Sequence, residues 1–183
     1  MRSLLALLFF IISGCSTAGG LLSNRPLEVH SMGLERVILK PDCSTIVCTN
    51  GFANEGDIWM TDIPLELLES GEFQDGLILH FQVLWTPLAG KTPLASTSTN
   101  LSIKLFIVSD GEVGIYGGGG YCWLSGNPED GMTLYIEDAT IAIQTQGDRF
   151  ADLLTPATML GKVHSIADPM TAHQIANAAA LLR

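Results

Sequence analysis

The stretch Asn100–Leu124, NLSIKLFIVSDGEVGIYGGGGYCWL, constrains the fold more tightly than any other part of the chain. Two apolar runs flank the pair Asp110-Gly111, and these two residue types tolerate the positive φ that a two-residue hairpin turn needs. The register follows from the turn: Ser109 faces Glu112, Phe106 faces Ile115 and Leu101 faces Gly120. On that register Gly114, Gly118 and Gly120 share a face with Leu101, Ile103, Leu105 and Ile107. Glycine weakens a strand entropically, so the run YGGGGYCW must be there for another reason. One reason is close packing: a bulge, a sharp bend, or room for bulk on a neighbouring element. The other is a shallow groove where a ligand or partner strand approaches the backbone. In that case Tyr116, Gly118, Gly119, Tyr121 and Trp123 line the contact surface.

The remaining pattern is also mostly β. Gly76–Trp85, GLILHFQVLW, places Leu77, Leu79, Phe81, Val83 and Trp85 on one face, with Ile78, His80, Gln82 and Leu84 on a half-polar one. Leu27–His30 and Leu34–Leu39 read as short strands. MTLYIEDATIAIQTQ alternates as one bent strand or two short ones, after a turn at GNPEDG. Pro64 opens a short helix to Ser70 that Gly71 closes, and Asp148–Leu154 is expected as a helical turn. Asp168-Pro169 sets up the N-cap and first turn of a C-terminal helix, with Met170, Ile175, Ala179 and Leu182 as its apolar stripe. The loop after Trp85 repeats TPLA and carries two prolines, marking an exposed connection. The fold class is therefore mainly β: a small sandwich or a curled antiparallel sheet, with one or two short helices and a C-terminal helix packed on it.

The N-terminus is of another character. Arg2 is followed by nine unbroken apolar residues, Leu4 to Ile12. A helix needs about 20 residues to cross ~30 Å of hydrocarbon, so this run is too short to span and has the length of a signal-peptide core. It ends in Ile12-Ser13-Gly14-Cys15, which resembles the lipobox of bacterial lipoproteins: an aliphatic residue, two small residues and a Cys. The family pattern usually has Leu where Ile12 stands. The resemblance covers only the first fifteen residues or so. It implies cleavage between Gly14 and Cys15, a diacylglyceryl thioether on Cys15, and acylation of the new amino group. Ser16 at the next position, rather than Asp, favours the periplasmic side of the outer membrane over the inner membrane in the Gram-negative sorting pattern. The organisation is then residues 1–14 as signal peptide, 15–25 as lipidated Cys and short tether, and 26–183 as one β-rich domain. Ser16–Arg25 extends at most roughly 35 Å, which keeps the domain close to the bilayer.

Committing Cys15 to lipid leaves Cys43, Cys48 and Cys122. An exported chain meets oxidising conditions, so one disulfide is an expectation. Cys43 and Cys48 can join only if CSTIVC turns back, because a straight strand would hold their Cα atoms about 16 Å apart. Either could instead join Cys122.

Charge removes several function classes. Nine Lys and Arg stand against nineteen Asp and Glu, for a net charge of −10, with no basic patch. Nucleic acid and anionic headgroups are disfavoured as electrostatic partners. AGKT at Ala89–Thr92 lacks the earlier glycine of a phosphate loop, Trp85 standing in its place, and a dinucleotide fingerprint begun at Gly117 fails at Cys122. No nucleotide or other cofactor is expected. Between Lys40 and Lys91 there are eight acids and no Lys or Arg, and TNGFANEGD and ESGEFQDG are the stretches to compare with calcium loops. Neither has EF-hand spacing, and no metal site is expected. His30, His80, His164 and His173 form no metalloprotease signature, although His164, Asp168 and His173 are close in sequence. G-x-S-x-G and S-x-x-K are absent, so no catalytic residue is assigned. The expected role is a non-enzymatic one, binding or structural, for a protein held to the envelope membrane through Cys15, with an envelope protein as partner. Two alternatives stand beside it: an extracytoplasmic hydrolase with scattered catalytic residues, His80 or the acidic residues, with a Cys122–His80 pair also geometrically open, and a calcium-stabilised binding module.

Overall fold

The computed structural model describes residues 25–49, 56–88, 98–127 and 129–183. The lipobox with Cys15, most of TNGFANEGD, and AGKT lie outside the described residues. Among these residues nine strands and two helices follow in chain order. They are β1 (Glu28–Ser31), β2 (Ile38–Leu39), β3 (Thr45–Thr49), β4 (Gly56–Thr61), α1 (Leu65–Ser70), β5 (Gly76–Val83), β6 (Leu101–Ser109), β7 (Glu112–Asn127), β8 (Gly131–Gln146), β9 (Ala157–Ala167) and α2 (Pro169–Leu181).

Strands β3 to β8 form an antiparallel meander, and β9 pairs antiparallel with β8 along most of its length. The far end of β9 then meets β3 in parallel, Val47 opposite Ile166 and Cys48 opposite Ala167. Of the two expected forms, the sheet takes the curled one, and it curls until it closes into a ring of seven strands. Closure removes the open edges that a meander otherwise exposes. The near end of β9 carries β1 and the two-residue β2 alongside it.

The hairpin register is the one its turn dictates: Ser109 faces Glu112, Phe106 faces Ile115 and Leu101 faces Gly120. Asp110 and Gly111 both take positive φ, at 51° and 76°. Inward-facing side chains alternate along each strand. Leu77, Leu79, Phe81, Val83, Leu101, Ile103, Leu105, Tyr116 and Cys122 belong to one buried cluster filling the ring. Small barrels are filled by side chains in this way and leave no lumen. A second cluster lies outside the ring, where α2 covers Val47, Trp59, Ile78, Phe106 and Ile115 with Ala172, Ile175, Ala178 and Ala179.

β8 is one bent strand. Met132, Leu134 and Ile136 point inward, the register slips at Glu137, and Ala139 and Ile141 take over on the other parity. Such a bulge bends the strand and increases its twist. Asn100 continues the β6–β7 ladder with its side chain: its Nδ2 donates to the carbonyls of Trp85 and Cys122, both at 3.0 Å, and its Oδ1 accepts from Cys122 N–H at 2.8 Å.

Gly71 closes α1 in the left-handed conformation, its N–H donating to Leu67 O. Asp168 caps α2, accepting from Thr171 N–H at 3.0 Å, with Pro169 in the first turn. Four expectations are corrected. Only Ile38–Leu39 of Leu34–Leu39 is strand, because β1 offers that segment just two pairing positions. Asp148–Leu154 is not a helical turn, because its end bonds to the Asp152 carboxylate instead of forming helical bonds. Met170 is exposed, and the buried stripe of α2 runs through alanines. Cys43, Cys48 and Cys122 are all free thiols; β3 holds Cys48 in extended chain away from Cys43.

Candidate functional site

One end of the ring is open to ligand. It is bounded by the β6–β7 turn, by Val37 and Leu39 at the β2 edge, and by residues 147–156, which cross from β8 to β9. This crossing segment is fastened by hydrogen bonds near both ends. Gly147 N–H donates to Val113 O at 2.9 Å, and Ile143 N–H to Thr155 Oγ1 at 2.7 Å. Asp152 is the knot: its Oδ1 accepts from the N–H groups of Leu154 and Thr155, each at 3.0 Å, and from Tyr116 Oη–H at 2.9 Å. Burial pushes the Asp152 carboxyl up, but the bonds from Thr155, Leu154 and Tyr116 outweigh it, and the group sits below its ordinary value. Tyr116 is held the other way: burial first, then the bond to Asp152, raises its phenol. Phe150 and Leu154 turn down into the core, Phe150 edge-on to Tyr116 with ring centroids 6.4 Å apart.

Under this segment lies a cleft of about 460 Å³. Its walls are mainly apolar, from Val37, Leu39, Ile107, Phe150, Leu153 and Leu154, with the Tyr116 ring at its base. At the rim, Arg149 Nη2 lies 2.8 Å from Glu112 Oε1, and Asp110 adds a further carboxylate to the lining. The volume falls within the range of roughly 300–1,000 Å³ usual for small-molecule sites.

The aromatic and glycine surface expected from the sequence is divided. Tyr116 is buried inside the ring and contributes to the cleft. Tyr121 and Trp123 have the opposite parity and pack edge-on against each other outside it, centroids 5.5 Å apart. The Tyr121 hydroxyl is buried and has no hydrogen-bond partner among the described residues; burial, then Glu137 and Cys122, raises its phenol. Gly118 is exposed and Gly119 half-buried. A Cβ on Gly118 would overlap Thr140 O, and one on Gly120 would overlap Asp138 O. The glycines therefore let the β8 backbone come close to β7.

Of the residues weighed for hydrolysis, His80 meets one acid, Asp57, but not Cys122. His80 lies outside the ring, stacked on Trp59 with ring centroids 3.9 Å apart and with Nε2 2.8 Å from Asp57 Oδ1. Cys122 faces the core, where burial pushes its thiol up to about 12 against the opposing bond with Asn100. The thiol of Cys43 is likewise pushed up to about 12, by burial and then by Asp62 and Asp42. His30 bonds to Glu28 and His164 to Thr133, while Asp168 is occupied as the helix cap. Among the described residues no group of three or more His, Cys, Asp or Glu is placed to hold a metal ion. In ESGEFQDG, Asp75 is engaged by the Asp110 N–H at 3.1 Å. No helix among the described residues is long and apolar enough to cross a membrane.

The geometry thus defines a small, side-chain-filled β-barrel with an apolar cleft at one mouth. The chain matches no family model, no curated protein and no solved structure.

The cleft residues were missed in the sequence because they come from three separated segments. Only Tyr116 had been singled out, and for a different surface.

Proposed function

We propose that this is a lipid-anchored cell-envelope protein with a non-enzymatic role, whose barrel binds an apolar small molecule at its mouth. The observation that carries the binding role is the cleft of about 460 Å³ walled by Val37, Leu39, Ile107, Phe150 and Leu154. Hydrocarbon walls reward burial of apolar surface by ~25 cal/mol per Å². At the rim Glu112 is paired with Arg149 and Asp110 adds a carboxylate, so the site does not favour an anion. The ligand class is therefore an uncharged or weakly polar hydrocarbon compound. The anchor rests on the ISGC motif at Ile12–Cys15, and Ser16 favours the periplasmic side of the outer membrane in a Gram-negative envelope. An envelope protein as partner remains part of the proposal, with the outer Tyr121–Trp123 pair as its contact.

The binding role is tested by titrating the full chain with an uncharged fluorescent fatty-alcohol analogue. Saturable binding that unlabelled oleyl alcohol displaces is expected. Val37→Glu, at the rim of the cleft, should weaken it at least severalfold while leaving the far-ultraviolet spectrum unchanged. Binding that does not saturate, or that Val37→Glu leaves intact, refutes the cleft as the site.

A further inference from the structure

The cleft changes character along one face of the β6–β7 hairpin. On β6, Leu105, Ile107 and Ser109 share a face, and on β7 they stand opposite Tyr116, Gly114 and Glu112 in turn. The deep part is therefore apolar and the turn end polar, over about 13 Å of strand at ~3.3 Å per residue. Five side chains with polar atoms line the cleft: Ser109, Asp110, Glu112, Tyr116 and Arg149. Tyr116 Oη–H donates to Asp152 Oδ1, and Glu112 Oε1 accepts from Arg149 Nε at 3.1 Å and from Nη2 at 2.8 Å. The Ser109 hydroxyl, the Asp110 carboxylate and Arg149 Nη1 have no partner among the described residues. The turn that carries Asp110 is braced by the chain before β5. Asp110 N–H donates to Asp75 Oδ1 at 3.1 Å and Gly111 N–H to Gln74 O at 2.9 Å, so Asp110 is positioned before any ligand arrives.

We infer that the ligand of this cleft is an alcohol: an apolar chain lying among Ile107, Phe150 and Leu154, with a hydroxyl at the β6–β7 turn that donates to the Asp110 carboxylate and accepts from Arg149 Nη1 or Ser109 Oγ. The inference rests on the binding role proposed above and adds the head group and the residue that selects it. The free groups at the rim are an acceptor, Asp110, and donors, Arg149 and Ser109. A carboxylate head accepts only, and brings its charge against Asp110 and Glu112. An ether accepts only, and leaves Asp110 unused. An ammonium donates only, and turns like charge toward the free N–H groups of Arg149. A hydroxyl donates and accepts, which matches both kinds of group at one rim. Ser109, Asp110 and Arg149 are exposed to water, so the selectivity is that of one net hydrogen bond, about threefold to tenfold.

The test is displacement of the fluorescent fatty-alcohol analogue from the full chain at pH 7 by probes that share one decyl chain: 1-decanol, 1-methoxydecane, decylamine and decanoate. 1-Decanol should displace it at a concentration about threefold to tenfold lower than each of the others. Asp110→Gly removes the carboxylate and suits the φ of 51°, so the turn persists. In that variant 1-decanol should fall to the level of 1-methoxydecane, whose own affinity stays the same. Asp110→Asn also tolerates the positive φ, and by removing the charge it should narrow the gap between 1-decanol and decanoate. Equal displacement by all the probes, or an Asp110→Gly that weakens them all alike, overturns the hydroxyl and leaves the cleft standing. Decylamine binding more tightly than 1-decanol overturns it as well. If no probe displaces the analogue, or if Val37→Glu leaves displacement unchanged, the cleft itself fails and the head group with it.

Discussion

Substituting the glycines of β7 one at a time separates close backbone approach from intrinsic strand preference. Gly117 and Gly118 are neighbours in the same strand with opposite parity, so an added methyl group meets different obstacles. At Gly117 it meets the amide end of the Gln144 side chain. That end can swing away. At Gly118 it meets Thr140 O and lies 2.9 Å from Ile141 Cα. Both are backbone in the paired strand, and the carbonyl would have to retreat by on the order of 1 Å to reach ordinary contact. Replacing Gly by Ala where the backbone fits stabilises by about 0.4–1 kcal/mol through the unfolded chain. Gly117→Ala should therefore fall near zero or slightly stabilise. Gly118→Ala sets that gain against overpacking of about 1–3 kcal/mol. It also loses one or two β7–β8 ladder bonds, at about 1 kcal/mol each. The net cost is about 2–4 kcal/mol. For a domain of this size that is a fall in Tm of roughly 5–15 °C.

Urea unfolding followed by tryptophan fluorescence measures both variants, and Gly120→Ala, which meets Asp138 O, should behave like Gly118→Ala. Equal costs at 117 and 118 would refute the reasoning. So would a neutral Gly118→Ala, because the run would then be tolerated and not required. A ligand or partner on the outer face predicts a different outcome, with Gly118→Ala stable but impaired in binding.

Asn100→Ala removes three hydrogen bonds at a fully buried position and strands the N–H and C=O of Cys122; a loss of about 2–4 kcal/mol in urea unfolding is expected. Phe150→Ala withdraws a ring that lines the cleft and packs into the core; a cost of about 3 kcal/mol is expected, together with an enlarged cleft whose affinity for the fatty-alcohol analogue changes, whereas Phe150→Leu should recover most of the stability. Asp152 has its folded value below its unfolded one, near 3.9, so its contribution is present above pH ~4 and is lost as pH falls through the folded value. Asp152→Asn should consequently be less stable than the parent at pH 7, and the gap should narrow on acidification below pH ~4; a constant gap would place the effect in packing alone.

The readable elements carry a local signal: the β6–β7 hairpin has an Asp-Gly turn, β5 sets an apolar face against a half-polar one, and α2 has an Asp-Pro start. β4 has no such contrast, because Ile58 and Met60 face the core while Trp59 is buried under α2. Burial on both faces erases the period of two. β9 is obscured for the opposite reason. Its inward row is Ala157, Met159, Gly161, Val163 and Ser165, and small residues at three of the five positions leave little hydrophobic signal. At Gly161 a Cβ would overlap Pro26 O, so the size is imposed by the neighbouring chain. Without β9 the ring has no closing strand, and the two-pair contact with β3 joins segments too far apart in sequence for any local pattern to reveal. The cleft is different. The register that sets Phe106 opposite Ile115 also sets Leu105 opposite Tyr116, and Leu105 shares the inward face of the hairpin. Parity alone therefore separates Tyr116 from Tyr121 and Trp123 and assigns it to the interior. What parity could not supply was the partner: Asp152 arrives from a segment with no regular structure, and only the fold places its carboxylate 2.9 Å from the Tyr116 hydroxyl.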